Sequence, residues 1–186
     1  MNKPLKIVAI AGSLRKGSYN KQVLQIVIDH LHSKNVGVTL VDLGKYSIPL
    51  FNQDMEASEG MPDDVKKLKQ TFTDANAFII ASPEYNASIS GVLKNAIDWI
   101  SRGLTKEEPQ YFSFKGKPAG IISASPGALG GIRGLFHVRE ILTSLGCITM
   151  PEQVCIKQAH EGIEQHKAAL SKFADSFCAF ANKFVS

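Results

Sequence analysis

Short apolar runs rich in branched side chains recur along the chain and predict strands. They lie at 6–11, 38–41, 77–81 and 117–123, and a further run begins at 147–149. In these runs the apolar residues do not alternate with polar ones. This pattern is typical of strands that are buried on both faces of a parallel sheet.

Amphipathic segments separate these runs and predict helices. Asn20 is the predicted N-cap of a helix over 21–31, and Pro62 the predicted first residue of a helix with Asp63 and Asp64 in its first turn. Three further helices are predicted: one at 91–101, one between the glycine-rich loop at 126–131 and Gly146, and one at 163–184. The segment 42–60 has no clear period and is predicted to be irregular. Strands alternating with helices predict an α/β domain over 1–186, with a doubly wound five-stranded parallel sheet and helices on both faces.

Composition narrows the classes of partner. The 186 residues are 44% hydrophobic and 20% charged, with a net charge of +4. No run of lysine and arginine is interleaved with aromatic residues, so we expect no nucleic acid partner. A mild positive charge favours small anionic ligands, or it serves solubility alone.

The cysteines and the apolar segments bear on location. Cys147, Cys155 and Cys178 form no C-x-x-C motif and no zinc-like cluster with histidine. We therefore predict reduced thiols, no metal site and a cytoplasmic protein. The first apolar run is too short for a signal peptide and no segment is long enough to span a bilayer, so no membrane association is expected.

The loop after the first predicted strand, at 12–20, has the donors that an anion requires. It joins a buried strand to a helix N-terminus, where backbone N–H groups are free and the helix dipole is positive. Ser13, Ser18, Asn20 and Arg15 add hydroxyl, amide and guanidinium donors suited to a terminal phosphate. The loop matches neither the P-loop nor the G-x-G-x-x-G motif, and a plain polar connection without a ligand is the alternative.

Loops after two further strands supply the other half of a possible site. Pro83 stiffens the loop at 82–91, where Tyr85 could pack on a flat ring or merely fill a surface crevice. The glycines at 126–131 permit close approach of a ligand, or serve a tight turn. All three loops follow strands at the sheet edge where doubly wound domains bind ligands, so together they favour a mononucleotide with a flat ring, best matched by FMN.

These loops resemble those of the NADPH-dependent FMN reductase family, which has a flavodoxin-like fold. The likeness rests on GSLRKGSYN at 12–20, on PEYN at 83–86 followed by GVLKNAIDW at 91–99, and on IPLFNQD at 48–54. It covers the chain from the first strand to about Leu145. Within the family, the sequence is most similar to the bacterial chromate and quinone reductases.

The resemblance implies roles for particular residues. The loop at 12–20 would hold the FMN phosphate, the loop at 83–86 would line the isoalloxazine ring largely through backbone groups, and the third loop would close the other side. The residues so implied as cofactor-binding are Ser13, Arg15, Ser18, Tyr19, Asn20, Pro83, Glu84, Tyr85, Asn86, Ser123, Ser125 and Gly127. The family also implies a homodimer or homotetramer. Trp99 and Asp98, which lie off the main apolar stripe of their helix, are consistent with such an interface.

No side chain is predicted to be catalytic, because no nucleophile–base pair or carboxylate pair stands out. His30, His32, His137, His160 and His166 lie in helical or terminal segments, and we expect them to be surface or packing residues. FMN would carry the chemistry, with NADPH or NADH as electron donor and a small molecule such as a quinone, azo compound, flavin or chromate as acceptor. A ping-pong cycle is expected. An electron carrier without its own NAD(P)H oxidation and a flavin-free protein on the same fold are the alternatives.

Overall fold

A five-stranded parallel sheet forms the centre of the computed structural model, which describes residues 4–185. The strands are β1 (Lys6–Ala11), β2 (Gly37–Val41), β3 (Ala77–Ala81), β4 (Pro118–Ala124) and β5 (Ile148–Ile156), in the order β2-β1-β3-β4-β5. All four pairings are parallel. The predicted fold class is confirmed, and each predicted strand is present within a few residues of its expected bounds.

The described residues form six α-helices. They are α1 (Tyr19–Ser33), α2 (Gln53–Glu59), α3 (Asp63–Asp74), α4 (Gly91–Ile100), α5 (Ile132–Ser144) and α6 (Lys167–Ala181). All but α2 cover the two faces of the sheet. One buried core lies between the sheet and α1 and α6, and a second lies between the sheet and α3, α4 and α5. Residues of β3 contribute to both cores, which explains why its five residues are all buried and apolar.

Several helix bounds differ from the prediction. Pro62 is the N-cap of α3 rather than its first residue. The closing helix begins at Lys167, after two short 3-10 turns, and ends at Ala181, so it is shorter than the amphipathic pattern suggests. The segment predicted to be irregular contains α2, which Asn52 caps by accepting from the amide of Asp54 at 2.8 Å. Because α2 buries none of its residues, it has no apolar period to detect.

Trp99 is buried within its own chain, contrary to the expectation that it faces an interface. Its side chain is 0% exposed and lies in a small core with Met61 and Val65. The indole Nε1 donates to the carbonyl of Pro49 at 2.8 Å, and the ring meets Phe51 edge-on at 5.0 Å. Trp99 therefore fastens the segment before α2 to α4, and it offers no surface to a partner.

The packing of α6 on the sheet depends on a glycine. Phe173 and Phe177 of α6 lie with their rings nearly parallel, at 8° between planes, over Gly120 of β4. A Cβ at position 120 would lie 2.8 Å from Phe177 and 2.9 Å from Phe173. The absence of a side chain at this position lets both rings approach the strand backbone.

A buried lysine holds the segment that connects α4 to β4. Lys69 of α3 is 1% exposed, and its ammonium group lies 2.7 Å from Glu108 and 3.0 Å from the hydroxyl of Ser113. A buried charge requires such partners. The pair thus anchors this otherwise irregular connection to the helix layer.

The edge strand β5 contains a bulge. Its register against β4 shifts between Ala119 and Ile121, opposite the stretch that contains Pro151. The guanidinium of Arg139, on α5, donates to the carbonyls of Met150 at 3.0 Å and Pro151 at 3.3 Å. The bulged carbonyls are thereby satisfied from within the chain.

Among the residues from 4 to 185, no helix has the length and apolar character needed to cross a membrane. The three cysteines are all unpaired, as predicted. Burial raises the pKa of the Cys147 thiol to about 12, so this group stays protonated in the fold.

Candidate functional site

The three loops singled out in the sequence meet at the carboxyl ends of β1, β3 and β4. Gly12 donates its amide to Ala81 at 2.9 Å and Ser82 donates to Ile122 at 3.0 Å, so the ladders of the sheet continue into the loops. They enclose a cavity of about 280 Å³. The cavity is lined by Ser13, Arg15, Ser18, Tyr19, Asn20, Pro83, Glu84, Tyr85, Ala124, Ser125 and Pro126.

Size alone does not single out this cavity. A cavity of about 450 Å³ lies at the opposite end of β1 and β2, and one of about 620 Å³ lies between α2 and the segment after α4. What distinguishes the smaller cavity is its place at the carboxyl ends of the strands and its donor chemistry, which are the features of ligand sites in doubly wound folds.

The first loop presents its donors at the start of α1. Ser18 is the N-cap, and its hydroxyl accepts from the amide of Lys21 at 3.4 Å. The Ser13 hydroxyl accepts from the amide of Arg15 at 3.3 Å, and both serines are 2% exposed. Each hydroxyl keeps its proton for a ligand in this arrangement. The guanidinium of Arg15 lies over the ring of Tyr19, 5.4 Å from its centroid, at the mouth of the cavity.

Asn20 has a different local role from the predicted one, because Ser18 is the cap of α1. The Asn20 side-chain amide donates to the carbonyl of Ala124 at 2.9 Å and accepts from the Ala124 amide at 3.0 Å. This pair of bonds ties the first turn of α1 to the end of β4, 104 residues away in the chain. Asn20 therefore fixes the distance between the first and third loops, and its contact with a phosphate stays a prediction.

The second loop turns sharply beyond the buried Ser82 and Pro83. Tyr85 and Ser88 exchange backbone hydrogen bonds of 2.9 and 3.0 Å, and Asn86 and Ala87 between them have φ of 50° and 64°. Such left-handed angles are typical of a tight two-residue turn. The ring of Tyr85 is 49% exposed at the rim of the cavity, which leaves it free to pack on a ligand.

The side chain of Glu84 points towards α5. Its carboxylate accepts from the amides of Arg133 at 3.0 Å and Gly134 at 3.3 Å, and from the guanidinium of Arg133. Burial raises the pKa of Glu84, but the bonds from Arg133 and Gly134 outweigh that effect and leave the pKa below its ordinary value. The carboxylate is thus charged and paired within the wall of the cavity.

The third loop closes the site with serine and glycine. Ser123 is fully buried, and its hydroxyl donates to the carbonyl of Gly130 at 2.6 Å, so Ser123 supports the loop from behind. Ser125 lines the cavity, and its hydroxyl accepts from the amide of Gly127 at 3.1 Å. Gly131 has a φ of 88°, and a Cβ there would lie 2.9 Å from that of Ser123.

Nine of the predicted site residues line the cavity, and Asn86, Ser123 and Gly127 lie beside it. Ala124 and Pro126 also line it and were missed. They carry no side-chain donor, and only their position between two predicted residues could have indicated them.

His137 is an exposed residue of α5, in agreement with the expected surface position, and it contacts the second loop: its Nδ1 lies 2.8 Å from the hydroxyl of Ser88. None of the five histidines is among the residues that line the cavity. Over the described residues, no group of three or more histidine, cysteine or acidic side chains could hold a metal ion.

The chemistry of the cavity fits a mononucleotide with a flat ring. Hydroxyls, a helix N-terminus and a guanidinium at one end suit a phosphate. At the other end, the stiff backbone of Pro83 and Glu84 and the ring of Tyr85 offer a surface that a planar heterocycle can contact. FMN combines these two parts.

Comparisons with known proteins agree with this geometry. The model of the NADPH-dependent FMN reductase family matches residues 5–161. An NAD(P)H-dependent FMN reductase of Pseudomonas aeruginosa is 43% identical over 145 residues, which cover 78% of this chain and 73% of that protein. A quinone reductase of Pseudomonas putida is 35% identical over 188 aligned positions, covering 100% of this chain and 96% of that protein.

A solved structure shows the same architecture over nearly the whole length. The flavoenzyme NAD(P)H:(acceptor) oxidoreductase of Paracoccus denitrificans superposes with a TM-score of 0.83 at 29% sequence identity. The match covers 98% of this chain and 100% of that one.

Proposed function

Because this chain belongs to the NADPH-dependent FMN reductase family, we propose that it is a flavoenzyme that oxidises NAD(P)H and reduces quinones and other small acceptors. It is an oxidoreductase with FMN as cofactor and NAD(P)H as electron donor. The single observation that carries the proposal is the convergence of the three loops on one cavity with phosphate donors at one end and a flat wall at the other.

The residues present assign the two ends of FMN. Ser13, Ser18 and the first amides of α1 would hold the phosphate, and Arg15 would turn from Tyr19 to neutralise its charge. The backbone of Pro83 to Asn86 and the ring of Tyr85 would line the isoalloxazine, with Ser125 and Gly127 on the other side. Asn20, Glu84 and Ser123 would support these groups, since their side-chain atoms are already engaged within the chain.

FMN, when bound, would supply the redox chemistry, which is hydride acceptance from the nicotinamide and electron donation to the acceptor. Glu84 is the one carboxylate among the residues that line the cavity and is paired with Arg133, and no histidine, lysine or cysteine lines it. The protein's part is to orient the ring and to leave one face open. Because donor and acceptor would use the same open face, we propose a ping-pong order, in which the oxidised nicotinamide leaves before the acceptor enters.

Quinones are the acceptors that the comparisons favour, since several relatives are named quinone reductases. An open ring face with few specifying side chains would also admit azo compounds, free flavins and chromate. We propose a homodimer or homotetramer, because the family that the chain resembles forms such assemblies. We propose a cytoplasmic location, because the three cysteines are unpaired.

A visible absorption spectrum of the FMN-reconstituted protein tests the proposal. We expect an oxidised-flavin spectrum that bleaches when NADPH is added without oxygen and recovers when a benzoquinone follows. Bound flavin that stays oxidised would instead indicate an electron carrier. Failure to bind FMN would contradict the proposed function.

The order of binding needs a separate experiment. Initial rates at several fixed quinone concentrations should give parallel double-reciprocal lines against NADPH. Intersecting lines would indicate a ternary complex and contradict the ping-pong order.

A further inference from the structure

The turn at Tyr85–Ser88 requires support from outside itself. Asn86 and Ala87 both have left-handed φ angles, and neither is glycine. Such angles are unfavourable for residues with a Cβ, and alanine, unlike asparagine, has no polar side chain whose local hydrogen bond could compensate. Two backbone hydrogen bonds between Tyr85 and Ser88 hold the turn closed, but they do not fix its position relative to the cavity.

Two side chains fasten the turn to α5, one before it and one at its end. Glu84 bonds the amides of Arg133 and Gly134, and Ser88 bonds His137 through its hydroxyl at 2.8 Å. The helix makes no side-chain cap bond of its own, since Gly131 is its N-cap. Glu84 therefore supplies the negative charge at the positive end of α5, from a position 49 residues earlier in the chain.

The helix α5 and the loop that contains the turn are in close contact. A Cβ on Gly134 would lie 3.2 Å from the carbonyl of Ser88 and 3.4 Å from the Cα of Glu84. The backbone of α5 thus lies directly against the loop at Glu84, before the turn, and at Ser88, its last residue. Displacement of the turn towards α5 would require the helix to move.

We propose that Glu84 is a positioning residue, which with Arg133 and Ser88 clamps the Tyr85–Ser88 turn to α5 and so holds the ring-contacting backbone of the site in place. Its carboxylate is 8% exposed and faces the helix, so it acts through the turn and not by touching the ring. This inference rests on the proposed function, because it concerns recognition of the isoalloxazine.

The affinities for FMN and for riboflavin, measured side by side, distinguish an effect on the clamp from an effect on the phosphate-binding loop. Glu84→Gln keeps the size of the side chain but loses the charge that Arg133 and the helix amides bind. We expect this variant to weaken FMN and riboflavin by the same factor, about tenfold. The ratio of the two Kd values should therefore stay that of the unaltered protein. Arg15→Ala should weaken FMN alone, because riboflavin has no phosphate. Glu140→Gln, an exposed change on the same helix, is the matched control and should leave both Kd values unchanged.

Two further measurements test the same clamp. The visible spectrum of FMN bound to Glu84→Gln should shift towards that of free FMN, since the ring environment loosens. In the ligand-free chain, hydrogen exchange at the amides of Tyr85 and Ser88 should speed up in Glu84→Gln and not in Glu140→Gln. Should Glu84→Gln fail to fold, Ser88→Ala can replace it, because it removes only the bond to His137. It should weaken both flavins equally and speed up exchange at the turn, with smaller effects than those expected for Glu84→Gln.

Unchanged flavin binding and unchanged exchange in Glu84→Gln would overturn the clamp while leaving the proposed function intact. A loss confined to FMN would also overturn it, because Glu84 would then act on the phosphate. An unaltered protein that binds neither flavin would contradict the proposed function itself.

Discussion

Arg15 is the one cation among the residues that line the cavity, and its guanidinium rests on the ring of Tyr19. An exposed cation parked on an aromatic ring is readily released to an anionic ligand, since the contact contributes only about 0.5–1 kcal/mol. The same guanidinium can form bidentate bonds to a phosphate. We therefore expect the guanidinium to leave the ring of Tyr19 when a phosphate binds.

Replacement of Arg15 by alanine should lower FMN affinity roughly ten- to a hundredfold, because one or more charge-assisted hydrogen bonds are lost. Titration of the apoprotein with FMN, followed by flavin fluorescence, measures the change. Lys16→Ala is the matched control, since Lys16 is an exposed cation next to Arg15 that does not line the cavity. Equal losses in the two variants would show that Arg15 contributes only general positive charge.

Individual residues show where prediction from the sequence stops. Ser18 and Asn20 both have side chains that can cap a helix, and the choice between them depends on a bond from Asn20 to Ala124 across the sheet. Glu84 was predicted to line the ring largely through its backbone, and the sequence did not indicate that its carboxylate pairs with α5. In both cases the local chemistry is visible in the sequence, whereas the partner is set by tertiary contacts that no local pattern encodes.

At the level of the elements, the interface between β4 and α6 is the most sensitive to volume. The two phenylalanine rings over Gly120 leave no room for a methyl group, and both belong to the core on the α1 side of the sheet. This interface lies between the sheet and α6, and none of its three residues lines the cavity. Its effects on stability should therefore be separable from effects on the cavity.

Gly120→Ala should reduce the free energy of unfolding by about 1–3 kcal/mol, because the new methyl group forces the rings off their packing positions. Urea denaturation measures this loss, and FMN affinity should stay unchanged in the folded protein. Gly91→Ala is the control: a Cβ at position 91 meets nothing within 4 Å, and the residue starts α4 without a positive φ. A loss in Gly91→Ala as large as in Gly120→Ala would contradict the explanation from crowding.

Elements that bury a continuous apolar face were predictable, whereas the short helix α2 was missed. The strands β1, β3 and β4 and the helices α1, α3, α4 and α5 each have such a face, and the sequence predicts all of them. The short helix α2 buries nothing and depends on its cap at Asn52, so periodicity could not reveal it. Trp99 was misassigned because Ile48, Phe51 and Met55, which pack against its small core, belong to the segment that the sequence left without structure.

For the whole molecule, charge is the property that reaches beyond single contacts. The chain carries +4, and Arg15, the cation among the residues that line the cavity, is exposed, so salt can screen its charge. A ligand with a phosphate should therefore be attracted at a distance, whereas the ring end of the cavity should be indifferent to salt.

Raising the ionic strength should weaken FMN binding but not riboflavin binding. Between about 0.01 M and 1 M salt the screening length falls from about 30 Å to about 3 Å, which removes the long-range attraction for the phosphate. Parallel titrations of the two flavins over this range measure the difference. A fall in riboflavin affinity as steep as that of FMN would show that salt acts on the fold and not on the phosphate.

The bulge in β5 bears on how the molecule behaves when many copies are crowded together. An open sheet ends in strands whose free backbone groups can pair with a strand of another copy, and this pairing seeds aggregates. At the β5 edge, Pro151 interrupts the row of donors, and Arg139 already occupies the carbonyls of Met150 and Pro151. The β5 edge is thus poorly suited to pair with a strand from another copy of the chain. Arg139 thus helps to keep the sheet from extending into a second copy of the chain.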